Sequence, residues 1–201
     1  MEINVTRTTK TPVRATNSDR RGMTGLVVAT DSTRDTDPSD ESRQATTTLD
    51  IGHRTIGALM SAPAAEVAKI LEYIADTDLD DPYLRELLET IRTLALEGKG
   101  TDGALVGAEL HRTGKFADVG HERLIKRLID TITAGANPFA LRQYAAALVA
   151  ESYRLSFALL GETLTEFSRS QPEAALLPYL VDAGTRLRAH SNRLAALRGD
   201  E

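Results

Sequence analysis

The chain contains no cysteine, so neither a disulfide framework nor a thiolate metal site is open to it. It also lacks any unbroken apolar run near the roughly 20 residues that cross a bilayer. The nearest, Tyr144 to Val149, is soon ended by Glu151 and Arg154. The opening Met1-Glu2-Ile3-Asn4 has neither the charged nor the apolar region of a signal peptide. No segment alternates apolar and polar residues as a half-buried strand does. Together these absences predict a cytoplasmic, all-α protein without membrane contact. Positive charge is scarce as well. The formal net charge is −5, which argues against a chain wrapped on nucleic acid, because such binding rests on many Lys and Arg contacts to phosphates. Residues 1 to 29 carry five basic against two acidic residues, whereas residues 51 to 201 carry 17 basic against 21 acidic. Direct DNA binding is therefore expected to be weak or absent, and confined to the N-terminal segment.

Chemistry-bearing patterns are also missing. A P-loop needs glycines whose backbone N–H groups cradle phosphates, followed by Lys and a Ser or Thr. The nearest approach, Gly107 through Gly114-Lys115-Phe116, has six residues between the glycines and Phe116 in place of the hydroxyl. It reads as a helix terminus. No serine sits in a Gly-x-Ser-x-Gly elbow. His53, His111, His121 and His190 are far apart and lack metal-ligand spacing. Asp76, Asp78, Asp80 and Asp81 read as a solvated loop whose last member caps a helix. Arg186, Arg188, Arg193 and Arg198 read as a solvated face more than a phosphate track. No catalytic residue, cofactor or metal is expected.

Residues 1 to 48 are rich in Thr, Ser, Asp and Arg without helical or strand period, a composition that predicts a disordered arm. One short apolar run, Leu26-Val27-Val28-Ala29, interrupts it. From 49 to 136 the pattern predicts a small helical bundle. Ile56, Leu59 and Met60 share a face of a first helix, and Pro63 opens a second carrying Val67, Ile70, Leu71 and Ile74. Asp81 stands at an N-cap with Pro82 at the first helical position. Leu84, Leu87, Leu88, Ile91 and Leu94 follow, and Gly98 ends that helix. Thr101 or Asp102 caps the next, with Leu105, Val106 and Leu110, which stops at Gly114. A fifth helix from about His121 presents Leu124, Ile125, Leu128, Ile129 and Ile132.

The last third, 137 to 201, differs in kind. Asn137 and Pro138 read as an N-cap and first helical residue, and nothing then breaks the helix before Gln171-Pro172, about 30 residues on. A second long helix carries Leu176, Leu180, Ala183, Leu187, Leu194 and Leu197 at alternating four and three spacing, with His190 in the seam. The pair predicts an antiparallel helical hairpin turning at Ser170-Gln171-Pro172. Such a hairpin offers more apolar length than a small bundle covers. Leu148, Leu155, Leu159, Leu176, Leu180, Leu187 and Leu194 are its candidate interface residues, and a homodimer is expected. Two readings of His190 stand: a pH-tuned pairing position, or a partly exposed histidine satisfied by a neighbouring side chain.

The order of punctuation resembles the N-terminal domain of the DnaB-like replicative DNA helicases. Ile56-Gly57-Ala58-Leu59-Met60 is similar to that family's opening helix, and Leu79 to Pro82 to its Phe-Tyr-x-Pro approach to the next. Glu97-Gly98-Lys99 with Asp102 resembles a Gly-x-x-x-Asp turn, Gly114-Lys115-Phe116 a Gly-x-Leu helix end, and Asn137 with Tyr144-Ala145 the start of the long helix. Leu79-Asp80 replaces two aromatics, Leu84 stands where the family often has His, and Gly120-His121 replaces a Gly-Gly pair. The resemblance implies a stand-alone, non-catalytic interaction module of DNA replication. Its hairpin would pair with itself or with a helicase collar, and its bundle would meet primase or helicase. The alternative reading is a nucleic-acid-binding regulator using the basic N-terminal segment and the last helix.

Overall fold

The computed structural model describes residues 51–117 and 119–199, and no strand occurs among them. The N-terminal arm expected over 1 to 48, with its Leu26 to Ala29 run, lies outside the described residues. The first helix, α1, covers residues 51–61. It is followed by α2 (Ala64–Leu71), α3 (Pro82–Leu96), α4 (Gly103–Arg112), α5 (His121–Thr133), α6 (Leu141–Ser170) and α7 (Glu173–Arg198). The architecture is the expected one: a small bundle, α1 to α5, followed by the α6–α7 antiparallel hairpin.

Helix α1 stands in the middle of the bundle, with Ile56, Ala58 and Leu59 fully buried. A Cβ added to Gly57 would lie 2.6 Å from the Thr131 carbonyl oxygen of α5. Glycine is therefore what lets these two helices touch backbone to backbone. Alanine at this position would gain about 1 kcal/mol of helix propensity. It would also force apart a backbone contact that no rotamer change relieves, and overpacking of this kind costs about 1–3 kcal/mol or more. Gly57→Ala should thus lower the denaturant midpoint without changing the slope. An unchanged or raised midpoint would contradict the close approach of α1 and α5.

Local capping chemistry sets the helix limits. Asp81 accepts a hydrogen bond from the Tyr83 amide at 2.8 Å, with Pro82 at the first helical position. Its second oxygen receives the Arg127 Nε at 2.5 Å, which ties the start of α3 to α5. That hydrogen bond raises the Arg127 guanidinium above its ordinary value. Of the two candidate caps for α4, Asp102 serves, accepting from the Ala104 and Leu105 amides at 3.0 and 3.1 Å. Thr101 instead turns inward and donates to the Leu59 carbonyl at 2.9 Å, joining the α3–α4 turn to α1. Gly98 and Gly114 take positive φ, +68° and +77°, where the chain leaves α3 and α4. The Gly107 to Lys115 stretch is accordingly α4 and its terminus. Before α6, Asn137 accepts from the Phe139 amide at 3.0 Å and Pro138 opens a single 3-10 turn.

The core gathers the expected positions of α1, α2 and α3, with Val106 and Leu110 of α4. Helix α5 departs from expectation. Leu124 and Leu128 are buried, but Ile125, Ile129 and Ile132 are exposed. Residues 125, 129 and 132 fall on one stripe of a 3.6-residue helix, and the core occupies only the neighbouring stripe. Leu105 of α4 is likewise exposed.

Candidate interaction surface

The two helices of the hairpin are seated on the bundle at their roots. Leu141, Ala145, Leu148 and Val149 of α6 are buried, as are His190, Leu194 and Leu197 of α7. Beyond Val149 no residue of α6 is buried. Ala150 and Tyr153 still lean on the core, and at 1.5 Å per residue the part of α6 past Val149 is about 30 Å long.

A buried charge cluster fastens the return of α7. Asp78 belongs to a 3-10 turn, Asp76–Asp78, and its carboxylate is wholly enclosed. It accepts two hydrogen bonds from the Arg193 guanidinium, at 2.5 and 3.1 Å, and one from the Ala75 amide at 2.7 Å. Arg193 also donates to the Tyr73 carbonyl at 2.9 Å. His190 Nε2 lies 3.0 Å from the Val149 carbonyl oxygen and 3.5 Å from Asp78 Oδ1, with its ring 5.2 Å from that of Tyr153. Two expectations are corrected here. Asp78 is not in a solvated loop and Arg193 is not on a solvated face, because each satisfies the other at a sequence separation of 115. His190 is satisfied, as one reading has it, but it is buried and not partly exposed, and its nearest partner is the Val149 backbone carbonyl, with the Asp78 carboxylate beyond.

Near its tip the hairpin is joined by an aromatic contact, Phe167 of α6 stacking on Tyr179 of α7 with ring centroids 4.2 Å apart. Within α6, Tyr153 meets Phe157 one turn on, edge-on at 4.9 Å. The seven candidate interface leucines divide along the length of the hairpin. Leu148 and Leu194 are 2% and 8% exposed and belong to the bundle core. Leu176 and Leu187 are half-buried. Leu155, Leu159 and Leu180 are 42%, 53% and 45% exposed on the projecting part. Phe157, Leu177 and Val181 add apolar surface there that the heptad pattern does not mark. The signal available for Leu177 and Val181 was the second apolar residue beside a seam position, as in Leu176-Leu177 and Leu180-Val181. Leu159, Leu160, Ala183 and Leu187 floor an open groove of about 440 Å³, with Thr77, Arg186 and Arg193 on its margin. Arg186 is paired along its own helix with Asp182. Among the described residues, no group of three His, Asp or Glu side chains is arranged to hold a metal ion. No helix there is long and apolar enough to cross a membrane.

Residues 45–150 match the family described as the DnaB-like helicase N terminal domain, just over half of the chain. The chain belongs to this family. The match ends at residue 150, beside Val149, the last buried residue of α6. Gly57, Asp81-Pro82, Asp102, Gly114 and Asn137, the punctuation that resembles the DnaB-like pattern, are in this structure a helix contact, two side-chain caps, a helix end and a third cap. The crystal structure of the N-terminal domain of DnaB helicase from Mycobacterium tuberculosis is similar in fold, with a TM-score of 0.55 and 20% sequence identity over 71% of this chain and 94% of that one. No curated protein matches the chain.

Proposed function

We propose that this DnaB-like domain is a non-catalytic assembly module of DNA replication, acting in the cytoplasm. Its hairpin, 137 to 201, pairs with a second copy or with a replicative-helicase collar, and its bundle, 49 to 136, is presented to primase or helicase. The observation that carries this reading is the projecting hairpin of a family member. Its distal leucines, Leu155, Leu159 and Leu180, together with Phe157, Leu177 and Val181, are left uncovered by its own bundle. Exposed apolar residues gathered on one projecting element mark contact surfaces more often than decoration. Such helix faces recognise one another mainly by apolar packing.

The nucleic-acid alternative has less support, because Arg186 and Arg193, two of the four arginines counted on α7, are engaged by Asp182 and Asp78. The test is a titration of the protein against the host's replicative helicase and primase, followed by particle mass and by unwinding rate. A complex at micromolar concentration should form and survive high salt, where counterion-driven DNA contacts weaken by orders of magnitude. Absence of binding to either, with unwinding unchanged, would remove the replication reading. ATP turnover by the purified protein, lost on a point substitution, would overturn the non-catalytic one.

A further inference from the structure

We infer that Asp78, His190 and Arg193 form a latch that sets the direction of the hairpin relative to the bundle. The cluster lies at the point where α6 stops being buried, and it joins three parts of the fold. Arg193 and His190 come from α7, the Val149 carbonyl that His190 faces comes from α6, and Asp78 comes from the turn beneath. That turn is itself fixed to α3, for Arg92 donates to Asp76 at 2.7 Å and to the Ile74 carbonyl at 2.9 Å. Asp78 is thus a carboxylate mounted on the bundle, and the two basic side chains that reach it are mounted on the arm.

Charge is a poor choice at this position if cohesion is the only requirement. Buried ion pairs are often matched or exceeded in stability by apolar residues of similar volume. They differ in demanding one geometry. Leu194 and Leu197, the apolar residues of the same seat, can slide against their neighbours, whereas two guanidinium bonds to one carboxylate cannot. With the latch in place the arm has one direction. With the latch broken, α6 is still rooted by Leu141, Ala145, Leu148 and Val149, so the bundle stays folded while the arm swings about that root. A rotation of roughly 15° on an arm of about 30 Å carries the tip about 8 Å. The latch also borders the groove floored by Leu159 and Leu187, so the direction it sets is that of the pairing surface. This use rests on the pairing reading, but the latch itself is tested within one chain and survives the failure of pairing.

The absence of cysteine makes the measurement direct. Spin labels are placed at Glu89→Cys on α3 and Arg169→Cys near the hairpin tip, both exposed positions. The labelled chain is diluted in unlabelled protein so that only intrachain pairs contribute. One narrow distance is expected with the latch intact. Asp78→Asn, and separately Arg193→Met, should broaden that distribution and shift its mean by up to about 8 Å. Amide exchange in α1 to α5 should stay unchanged. The double variant Asp78→Leu with Arg193→Met leaves no buried charge unpaired at this pair, so it should fold and show the same broadening. A narrow distribution retained in all three variants would overturn the latch. Loss of protection throughout α1 to α5 in all three would also overturn it, because the cluster would then be a pillar of the bundle.

Discussion

Leu148→Asp should unfold the protein or bring it to the edge of unfolding. Leu148 is almost wholly buried at the root of α6, in the same core as Leu59, Leu87 and Ile91. Truncating such a leucine to alanine costs about 2–5 kcal/mol through lost burial and the cavity left behind. A carboxylate there has in addition to be desolvated or protonated without a partner, which raises the loss to on the order of 5 kcal/mol or more. Small domains have only about 5–15 kcal/mol in total. Loss of the far-ultraviolet helix signal at room temperature, or a collapse of the denaturant midpoint, is the expected result. A variant that melts like the unsubstituted chain would mean that α6 is not seated on the bundle as described.

Leu159→Asp, eleven residues further along the same helix, should have the opposite character. This side chain is half in solvent on the projecting part of α6. An exposed substitution there should change stability by no more than about 0.5 kcal/mol. Pairing should suffer heavily. A carboxylate forced into an apolar helix–helix contact costs about 3–5 kcal/mol, and each 1.4 kcal/mol is tenfold in affinity, so self-association should weaken by roughly 10² to 4 × 10³. Sedimentation at matched concentrations, with thermal melting of the same samples, separates the two effects. A folded Leu159→Asp variant that still associates like the unsubstituted chain would place the pairing surface elsewhere.

The contrast between Leu148 and Leu159 shows where sequence reasoning stops. Both lie on an unbroken apolar pattern, and a repeat of four and three states that a helix face is apolar without stating where the bundle beneath it ends. Only the tertiary structure divides the run, with Leu148 and Leu194 in the core and Leu155, Leu159 and Leu180 beyond it. Helix ends were legible for the converse reason. Asp81 with Pro82, Gly98, Gly114 and Asn137 act on amides two or three residues away, or through their own φ, so the signal and its effect share a few residues. The choice between Thr101 and Asp102 needed the structure, because the function of Thr101 is a bond to Leu59, 42 residues earlier. Asp78 is the extreme case. Among neighbouring aspartates it has every mark of a solvated turn, and the arginine that buries it is 115 residues away. The period of α5 allows a broad apolar face, while the core takes only Leu124, Leu128 and Thr131. Pro178 would by local rule end a helix, yet α7 runs through it. It lies in the second turn, where it removes the hydrogen bond to the Ala174 carbonyl, but Ala174 and Pro178 are both exposed, so water can satisfy that oxygen.

The proposed assembly role requires that the distal hairpin seek a partner of its own kind. The most direct test is the mass of the unsubstituted chain by sedimentation equilibrium, from low to high micromolar concentration and at two salt levels. A reversible dimer that persists at high salt is the expected result, because the surface that carries it is apolar. A single species at the monomer mass of 21.8 kDa across the whole range would contradict it.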